Sequence, residues 1–499
     1  MVRNEPKIDP DFLDTFPLGF CRRHGIALLA GDGSGPATLL RTERTDERQI
    51  ELVSRRLKRP VRPELSPPDV VERLLEAAHA AGGSRTASVL RSIAPEDDAE
   101  GLLRDVDALS RREDLLDTEG RAPIIRLVNH ILLDAVRAGA SDVHVQPRED
   151  RLVVRQRIDG VLFDTLNIPK HVQEEVLTRI KVLGRMNIAE KRLPQDGRAS
   201  VTLGDREVDL RIASLPTSHN ERIVIRLLDK SARLYSLDEL GMPRDQLAVF
   251  ERLIRRDHGM ILVTGPTGSG KSTTLYGALQ RIDAAELNVL TLEDPIEYRL
   301  DGISQTQINE KKGLTFGSGL RSVLRQDPDI IMVGEIRDAD TASMAIQASL
   351  TGHLVFSTLH TNDASGAITR LTDLGVEPYL VSSSLIAVLA QRLVRRLCDR
   401  CKQPAPDNEA VDGLGGVGGA RPAGCEHCRG TGYRGRIGLF ELLVVDETIR
   451  SLATRRAPAA EIRSAAVAAG LKLLANDGRD KVAGGLTTPE EVARVTSGY

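Results

Sequence analysis

The stretch MILVTGPTGSGKSTTLYGAL, residues 260–279, places a glycine-rich loop between an apolar segment and a segment that favours a helix. Within it, GPTGSGKST has glycines and a Lys-Ser pair at the spacing of a phosphate-binding loop, and the flanking strand and helix are the context that this motif requires. The glycines let backbone N–H groups turn inward around phosphate oxygens, while the lysine reaches the β and γ phosphates. The residues predicted to bind ATP are Gly265, Pro266, Thr267, Gly268, Ser269, Gly270, Lys271, Ser272 and Thr273, and the hydroxyl of Ser272 is also predicted to bind Mg²⁺.

Outward from this loop, short apolar strands alternate with helices until about residue 390, which is typical of a parallel sheet with helices on both faces. Ligands of such sheets bind at the carboxyl ends of the strands. Three further strands end in polar side chains, which are Glu293, Asp294, Glu297, Glu335, Arg337, Asp338, Thr358, His360 and Asn362, with His353 at the start of the last strand. Strand ends are often polar because they are solvated, but their recurrence beside a phosphate-binding loop favours one shared site.

Gly334 stands where many nucleotide-hydrolysing proteins carry an aspartate that helps to hold Mg²⁺. Since glycine offers no side-chain ligand, we expect Mg²⁺ to rest on Ser272 and Glu293, with Asp294 acting through water. Glu335, the next residue, is predicted to orient or deprotonate the attacking water.

Four of the five cysteines form two CxxC pairs. They are Cys398 with Cys401, and Cys425 with Cys428. This spacing is typical of a tetrahedral zinc site, and four thiolates leave no open coordination position, so the predicted zinc is structural. His427 is interpreted as a bystander, and the remaining cysteine, Cys21, is expected to pack in a core.

The composition excludes some classes of function. The 499 residues carry 68 Lys and Arg against 71 Asp and Glu, a formal net charge of -3, and aromatic residues are scarce. Both features argue against direct binding of nucleic acid. No run approaches the roughly 18 to 20 apolar residues of a membrane-spanning helix, and the first residues lack the apolar core of a signal peptide. The sequence therefore predicts a cytoplasmic protein.

Changes of pattern along the chain predict five regions. They are an N-terminal domain and linker (1–110), an α+β domain (121–232), the P-loop core (240–394), the cysteine module (395–440) and a helical C-terminal region (441–499). In the α+β domain, hairpin turns are predicted at Asp159-Gly160 and Gly204-Asp205. The second hairpin is predicted to place Asp209 and Arg211 on a polar face.

The nucleotide-site motifs resemble, in their order, the signatures of the secretion-ATPase superfamily that drives type II secretion and type IV pili. These motifs are GPTGSGKST, LEDPIEY, RQDPDIIMVGEIRD and TGHLVFSTLHTN, and the resemblance extends upstream through SDVHVQP and RLPQDGR to cover about residues 120–499. It implies a multidomain α/β protein, with a RecA-like core preceded by a PAS-like α+β domain and a small N-terminal domain. The glycine at position 334 is this family's own pattern.

The same resemblance implies a homohexamer with ATP between the two main domains and arginines of the preceding domain near the γ-phosphate. On this sequence that role carries to Arg198 in QDGR and Arg211 in VDLRIAS, although either could be an ordinary surface arginine. His353 and His360 match the family's histidine box, where they would sense the nucleotide state. A structural role is the alternative for His353.

The stretch FPLGFCRRHGIALL, residues 16–29, resembles the N-terminal domain of type II secretion ATPases, which also carry paired CxxC motifs. The resemblance implies ATP hydrolysis that powers pseudopilus assembly and protein export through domain rotation. The N-terminal domain would dock on the cytoplasmic part of an inner-membrane platform protein, so that membrane association is indirect. The alternatives are a type IV pilus assembly ATPase, a DNA-uptake or conjugation ATPase, and a nucleotide-dependent switch without turnover.

Overall fold

The computed structural model describes residues 24–30, 37–46, 60–81, 113–114, 123–203, 206–229, 234–405 and 419–496, with single positions between 8 and 57. The chain forms two compact units, Met1–Ser231 and Ala232–Tyr499. This division is coarser than the five predicted regions, whose boundaries stay predictions. The predicted turn at Gly204-Asp205 and residues 82–110 of the predicted N-terminal domain and linker lie outside the described residues.

The first unit begins with a three-stranded sheet and a helix. They are β1 (Ile26–Leu28), β2 (Ala37–Arg41), β3 (Val61–Leu65) and α1 (Pro68–Ala81). β2 lies in the middle, antiparallel to β1 and parallel to β3. Phe12, Phe16 and Cys21 are buried with β1, and the Cys21 thiol donates a hydrogen bond to the Phe16 carbonyl oxygen at 3.6 Å. Cys21 therefore packs in a core, as predicted.

The first unit continues with a seven-stranded sheet and two helices. The strands are β4 (Glu113–Asp114), β5 (Ala140–Pro147), β6 (Arg151–Ile158), β7 (Val161–Pro169), β8 (Gln195–Leu203), β9 (Arg206–Thr217) and β10 (Asn220–Asp229), and the helices are α2 (Pro123–Arg137) and α3 (Gln173–Leu183). Their order in the sheet is β4-β8-β9-β10-β5-β6-β7. Asp159 and Gly160 join β6 to β7 with φ angles of 50° and 86°, which is the backbone of the predicted tight hairpin turn.

The two faces of this sheet differ in character, as the alternation in β9 predicts. Val208, Leu210 and Ile212 are at most 1% exposed and join the core that contains α2 and α3. Asp209 and Arg211 therefore lie on the opposite face, because successive residues of a strand point to opposite sides.

The second unit is built on another seven-stranded sheet. Its strands are β11 (Gly259–Thr264), β12 (Val289–Glu293), β13 (Ser304–Gln307), β14 (Ile330–Val333), β15 (Leu354–Leu359), β16 (Leu385–Leu397) and, at the edge, β19 (Tyr433–Val444). The order is β13-β12-β14-β15-β11-β16-β19, and every neighbouring pair is parallel except β16 with β19. The strand before the glycine-rich loop, β11, thus lies inside the sheet.

Helices cover both faces of this sheet, as the alternating pattern predicts. They are α4 (Arg244–Leu253), α5 (Lys271–Leu279), α6 (Phe316–Val323), α7 (Ala339–Leu350), α8 (Ala364–Asp373), α9 (Pro378–Ser384), α10 (Glu447–Thr454), α11 (Ala459–Ala468), α12 (Leu474–Ala483) and α13 (Pro489–Thr496). Met260 and Leu262 of β11 belong to one apolar core, and Ile261 and Val263 to another. Burial on both faces explains why β11 is apolar throughout.

The cysteine module is inserted between β16 and β19, and its two ends meet because Leu397 and Tyr433 are cross-strand partners. The module contains the short antiparallel strands β17 (Gln403–Pro404) and β18 (Ala420–Arg421). Among all the helices of the described ranges, none has both the length and the apolar character needed to cross a membrane.

Candidate active site

The glycine-rich loop joins β11 to α5 in the conformation that phosphate binding requires. Gly268 and Gly270 have φ angles of 79° and 88°, a region that glycine enters at little cost. Lys271, the first residue of α5, donates hydrogen bonds from Nζ to the carbonyl oxygens of Gly265 and Pro266 at 2.8 and 3.0 Å. The loop is thus curled around its own lysine, with its N–H groups at the positive end of α5.

A cavity of ≈ 380 Å³ opens over this loop. Its lining includes these predicted site residues: Thr267, Gly268, Gly270, Lys271, Ser272, Thr273, Glu293, Asp294, Glu297, Glu335, Thr358 and His360. The carboxyl ends of β12, β14 and β15 therefore converge on the phosphate-binding loop, as expected for a parallel sheet.

Other polar residues at these strand ends have structural contacts. Asp338 caps α7 by accepting a hydrogen bond from the N–H of Thr341 at 2.8 Å, and Asn362 accepts one from the Arg392 guanidinium at 3.1 Å. His353 precedes β15, and its Nδ1 lies 2.8 Å from the Ala348 carbonyl oxygen. Because β15 separates His353 from His360 by roughly 20 Å of extended chain, only His360 reaches the cavity.

Glu335 follows β14 with only 15% of its side chain exposed. One carboxylate oxygen is 2.5 Å from the Arg337 guanidinium, and the other is 3.3 Å from Nε2 of His360. A nearly buried carboxylate held between these two groups has the position and the hydrogen-bonding capacity of a group that orients water.

Lys271 and Glu335 also interact electrostatically. Burial, which disfavours the charged ammonium, lowers the pKa of Lys271 to about 8, and the nearby Arg392 acts in the same direction. The negative charge of Glu335 opposes this shift. An anion that approaches Lys271 is therefore expected to raise its pKa and to favour the charged ammonium.

Glu293, at the end of β12, is 4% exposed and has no cationic partner among the described residues. Its Oε2 accepts a hydrogen bond from the hydroxyl of Tyr276, and its Oε1 accepts two, from Thr291 Oγ1 at 2.5 Å and from Gln305 Nε2 at 2.9 Å. A carboxylate offers about four acceptor positions, so one remains on Oε2. This arrangement is compatible with a metal-bound water or a metal ion.

Gly334 lies close to the backbone of β12. Its N–H donates to the carbonyl oxygen of Leu292 at 2.8 Å, and a Cβ at this position would lie 3.2 Å from the same oxygen. A side chain at residue 334 would therefore make a tight contact with β12 and require the Leu292 carbonyl oxygen to shift by a few tenths of an ångström.

Sequence reasoning missed several residues of this site. Leu393 and Arg436 line the cavity from β16 and β19, and Gln391 of β16 accepts a hydrogen bond from Thr274 Oγ1 at 2.6 Å behind the loop. Only the pairing of distant segments brings these residues together. Tyr276 could have been found, because it lies one helical turn after Ser272.

In the first unit, the two predicted arginines are direct neighbours. Arg198 of β8 and Arg211 of β9 are cross-strand partners, and Arg211 is also the partner of Arg226 in β10. Cross-strand partners share a face, so three arginines form a row on the polar side of the sheet. Arg226 also pairs with Asp142 at 3.1 Å. Sequence reasoning missed Arg226, which the alternation within β10 could have placed on this face.

The four predicted cysteine ligands come together. One sulfur from each of Cys398, Cys401, Cys425 and Cys428 lies within 4.8 Å of the others, and three of the pairs are 3.7 to 3.9 Å apart. Four sulfurs at 2.3 Å around a tetrahedral zinc would be about 3.8 Å apart, whereas a disulfide requires about 2.05 Å. Burial opposes ionisation of Cys428, but hydrogen bonds from the N–H groups of Cys425 and Gly432 lower its pKa to about 6. Burial and hydrogen bonds with the other cysteines raise the pKa of Cys401 to about 12, so the fit to zinc rests on the geometry of the four sulfurs.

A phosphate-binding loop at the carboxyl ends of the strands of a parallel sheet, with two carboxylates facing it, defines a P-loop ATPase with a RecA-like core. Comparison of the chain with known proteins agrees with this class. The family model described as "Type II/IV secretion system protein" matches residues 117–494. The chain therefore belongs to the type II/IV secretion system protein family.

Similar proteins support this assignment over most of the chain. The type II secretion system protein HxcR of Pseudomonas aeruginosa is 48% identical, over 97% of this chain and 99% of its own length. The type II secretion system ATPase E of Vibrio cholerae is 50% identical, over 80% of each chain. Among solved structures, the pilus retraction motor PilT with bound ADP matches with a TM-score of 0.50 and 26% identity, over 74% of this chain and 96% of its own.

Proposed function

We propose that this protein is the ATPase of a type II secretion system, which powers pseudopilus assembly and protein export by ATP-driven domain rotation. The observation that carries the proposal is the convergence of the phosphate-binding loop, Glu293 and Glu335 on one cavity, in a chain similar to type II secretion proteins over nearly its whole length. Those relatives favour type II secretion over the alternative, assembly of type IV pili. Handling of DNA has no support from the near-neutral charge.

The reaction proposed is hydrolysis of ATP to ADP and phosphate. The loop N–H groups and Lys271 hold the β and γ phosphates, and Ser272 with Glu293 would hold Mg²⁺, which supplies positive charge to the same phosphates. These hard oxygen donors suit that ion. Glu335 orients the attacking water and accepts its proton, while His360, beside Glu335, links this carboxylate to the nucleotide state.

Further groups come from the first unit and the assembly. Arg198 and Arg211 are proposed to reach the γ-phosphate across the interface of a homohexamer, where their charge stabilises the transition state. A structural zinc ion is proposed for the four cysteines. The N-terminal domain is proposed to dock on the cytoplasmic part of an inner-membrane platform protein, which would keep the ATPase at the inner face of that membrane.

The catalytic proposal is tested with Glu335→Gln. Because this substitution removes the acceptor of the proton and keeps the shape, we expect ATP binding to stay intact and hydrolysis to fall by about 10²-fold or more. Glu377→Gln, at the exposed start of α9, is the matched control and should hydrolyse ATP normally. Normal turnover by Glu335→Gln would remove the assignment.

The assignment to a type II secretion system is tested separately, by calorimetric titration of the full chain with the cytoplasmic domains of candidate platform proteins. Selective binding to a type II secretion platform is expected. Binding only to a pilus platform would leave the ATPase chemistry in place and overturn the proposed machine.

A further inference from the structure

Tyr276 lies at the centre of a hydrogen-bonded cluster that connects the phosphate-binding helix to the acidic loop after β12. The side chain is 1% exposed, and its ring packs edge-on against that of Tyr298, with centroids 5.8 Å apart. It follows Ser272 by four residues, so both lie on the same face of α5, about 6 Å apart along the helix axis. The helix that carries the predicted magnesium ligand thus carries Tyr276 as well.

The Tyr276 hydroxyl bonds to both ends of that acidic loop. It donates to Oε2 of Glu293 and accepts a hydrogen bond from the N–H of Glu297 at 3.2 Å. A phenolic hydroxyl carries its proton at neutral pH, so it acts as the donor to the carboxylate.

The opposite oxygen of Glu293 is held from other elements. Thr291 of β12 and Gln305 of β13 both donate to Oε1. With donors on both oxygens the carboxylate cannot rotate, and the remaining acceptor position on Oε2 has a fixed direction. If the Tyr276 hydroxyl were absent, Oε2 would lose the one protein donor that it has among the described residues, and that direction would no longer be defined.

We propose that Tyr276 is a positioning residue that fixes the Glu293 carboxylate relative to the magnesium ion held by Ser272. This inference rests on the proposed function, in which Ser272 and Glu293 hold that ion. Since Tyr276 and Ser272 share one rigid helix, a shift of the phosphate-binding loop moves Glu293 together with the metal ligand. Tyr276 acts on the metal through Glu293.

Tyr276→Phe tests the proposal in the full chain, because it removes the hydroxyl and keeps the ring. ATP turnover is measured against Mg²⁺ concentration, and ATP binding is measured separately without Mg²⁺. We expect the half-saturating Mg²⁺ concentration to rise and kcat to fall by about 10-fold, as for other residues that orient metal ligands. Binding of ATP without Mg²⁺ should be unchanged.

Two further variants complete the design. Ser349→Ala removes another buried hydroxyl, which bonds only locally to the Ile346 carbonyl oxygen in α7, and it should leave the Mg²⁺ dependence unchanged. Gln305→Leu removes a donor from the other oxygen of Glu293 and should shift the Mg²⁺ dependence in the same direction. If Tyr276→Phe is poorly folded, this variant still tests whether fixing the carboxylate controls metal binding.

A Tyr276→Phe protein with the wild-type Mg²⁺ dependence would overturn the inference, and so would a fall in kcat without any shift in that dependence. Glu293→Gln separates this failure from failure of the proposed function. If Glu293→Gln loses Mg²⁺-dependent turnover while Tyr276→Phe retains it, only the role of Tyr276 is wrong. If Glu293→Gln behaves as wild type, the metal role of Glu293 is wrong as well.

Discussion

Raising the pH is expected to weaken ATP binding through Lys271, and the size of the effect follows from its environment. Burial lowers the pKa of Lys271 to about 8. Bound phosphates favour the charged ammonium and raise that pKa again, so above pH 8 binding must take up a proton. The protonated fraction of the free lysine falls from about three quarters at pH 7.5 to about 3% at pH 9.5, which predicts about 25-fold weaker binding.

The assay is titration with a fluorescent ATP analogue at constant ionic strength, over a series of pH values. The affinity should stay nearly constant below pH 8 and fall above it. Lys271→Arg is the control, because a guanidinium stays charged throughout this range and the fall should disappear. Glu335→Gln should move the fall to lower pH, because the Glu335 charge opposes the lowering of the Lys271 pKa.

Two results would refute this reasoning. A wild-type affinity that changes by less than about threefold over the range would mean that Lys271 does not lose its proton there. The same fall in Lys271→Arg would assign the effect to another group.

Two other predictions concern the cysteine cluster and Gly334. The purified chain should contain one zinc ion per molecule, measured by atomic emission; the Cys401→Ser/Cys428→Ser double variant should contain none, Cys21→Ser should keep it, and stoichiometric zinc in the double variant would disprove the site. Gly334→Ala should destabilise the chain by about 1–3 kcal/mol, seen as a lower Tm, because its Cβ would crowd the Leu292 carbonyl oxygen, which is fixed by a hydrogen bond from residue 334 itself. An unchanged Tm would show that β14 and β12 can separate at no cost.

The sequence predicts best where structure is local and periodic. The phosphate-binding loop lies between β11 and α5 because its glycines, its lysine and its flanking apolar strand are contiguous. The turn at Asp159-Gly160 likewise needs only two residues that tolerate positive φ. Such features do not depend on how distant segments pair.

Contacts between distant segments were harder to predict. Arg436 reaches the nucleotide cavity only because β19 pairs with β16, and no local pattern indicates that pairing. In the histidine box, residues that are close in sequence lie far apart in the structure. His353 and His360 flank β15 and therefore lie at its opposite ends. For Glu293, the sequence predicted a position at the site, but the three donors around its carboxylate come from three different elements.

The cross-strand pairing of Leu397 with Tyr433 suggests that the cysteine module can be replaced by protein engineering. Because its two ends are cross-strand partners, residues 398–432 can be exchanged for a tight turn that keeps β16 paired with β19. Gln391 and Arg436 lie on the retained segments of these strands, behind the loop and beside the nucleotide cavity. We therefore expect chimeras that carry the cysteine module of one relative on the core of another to keep the sheet intact.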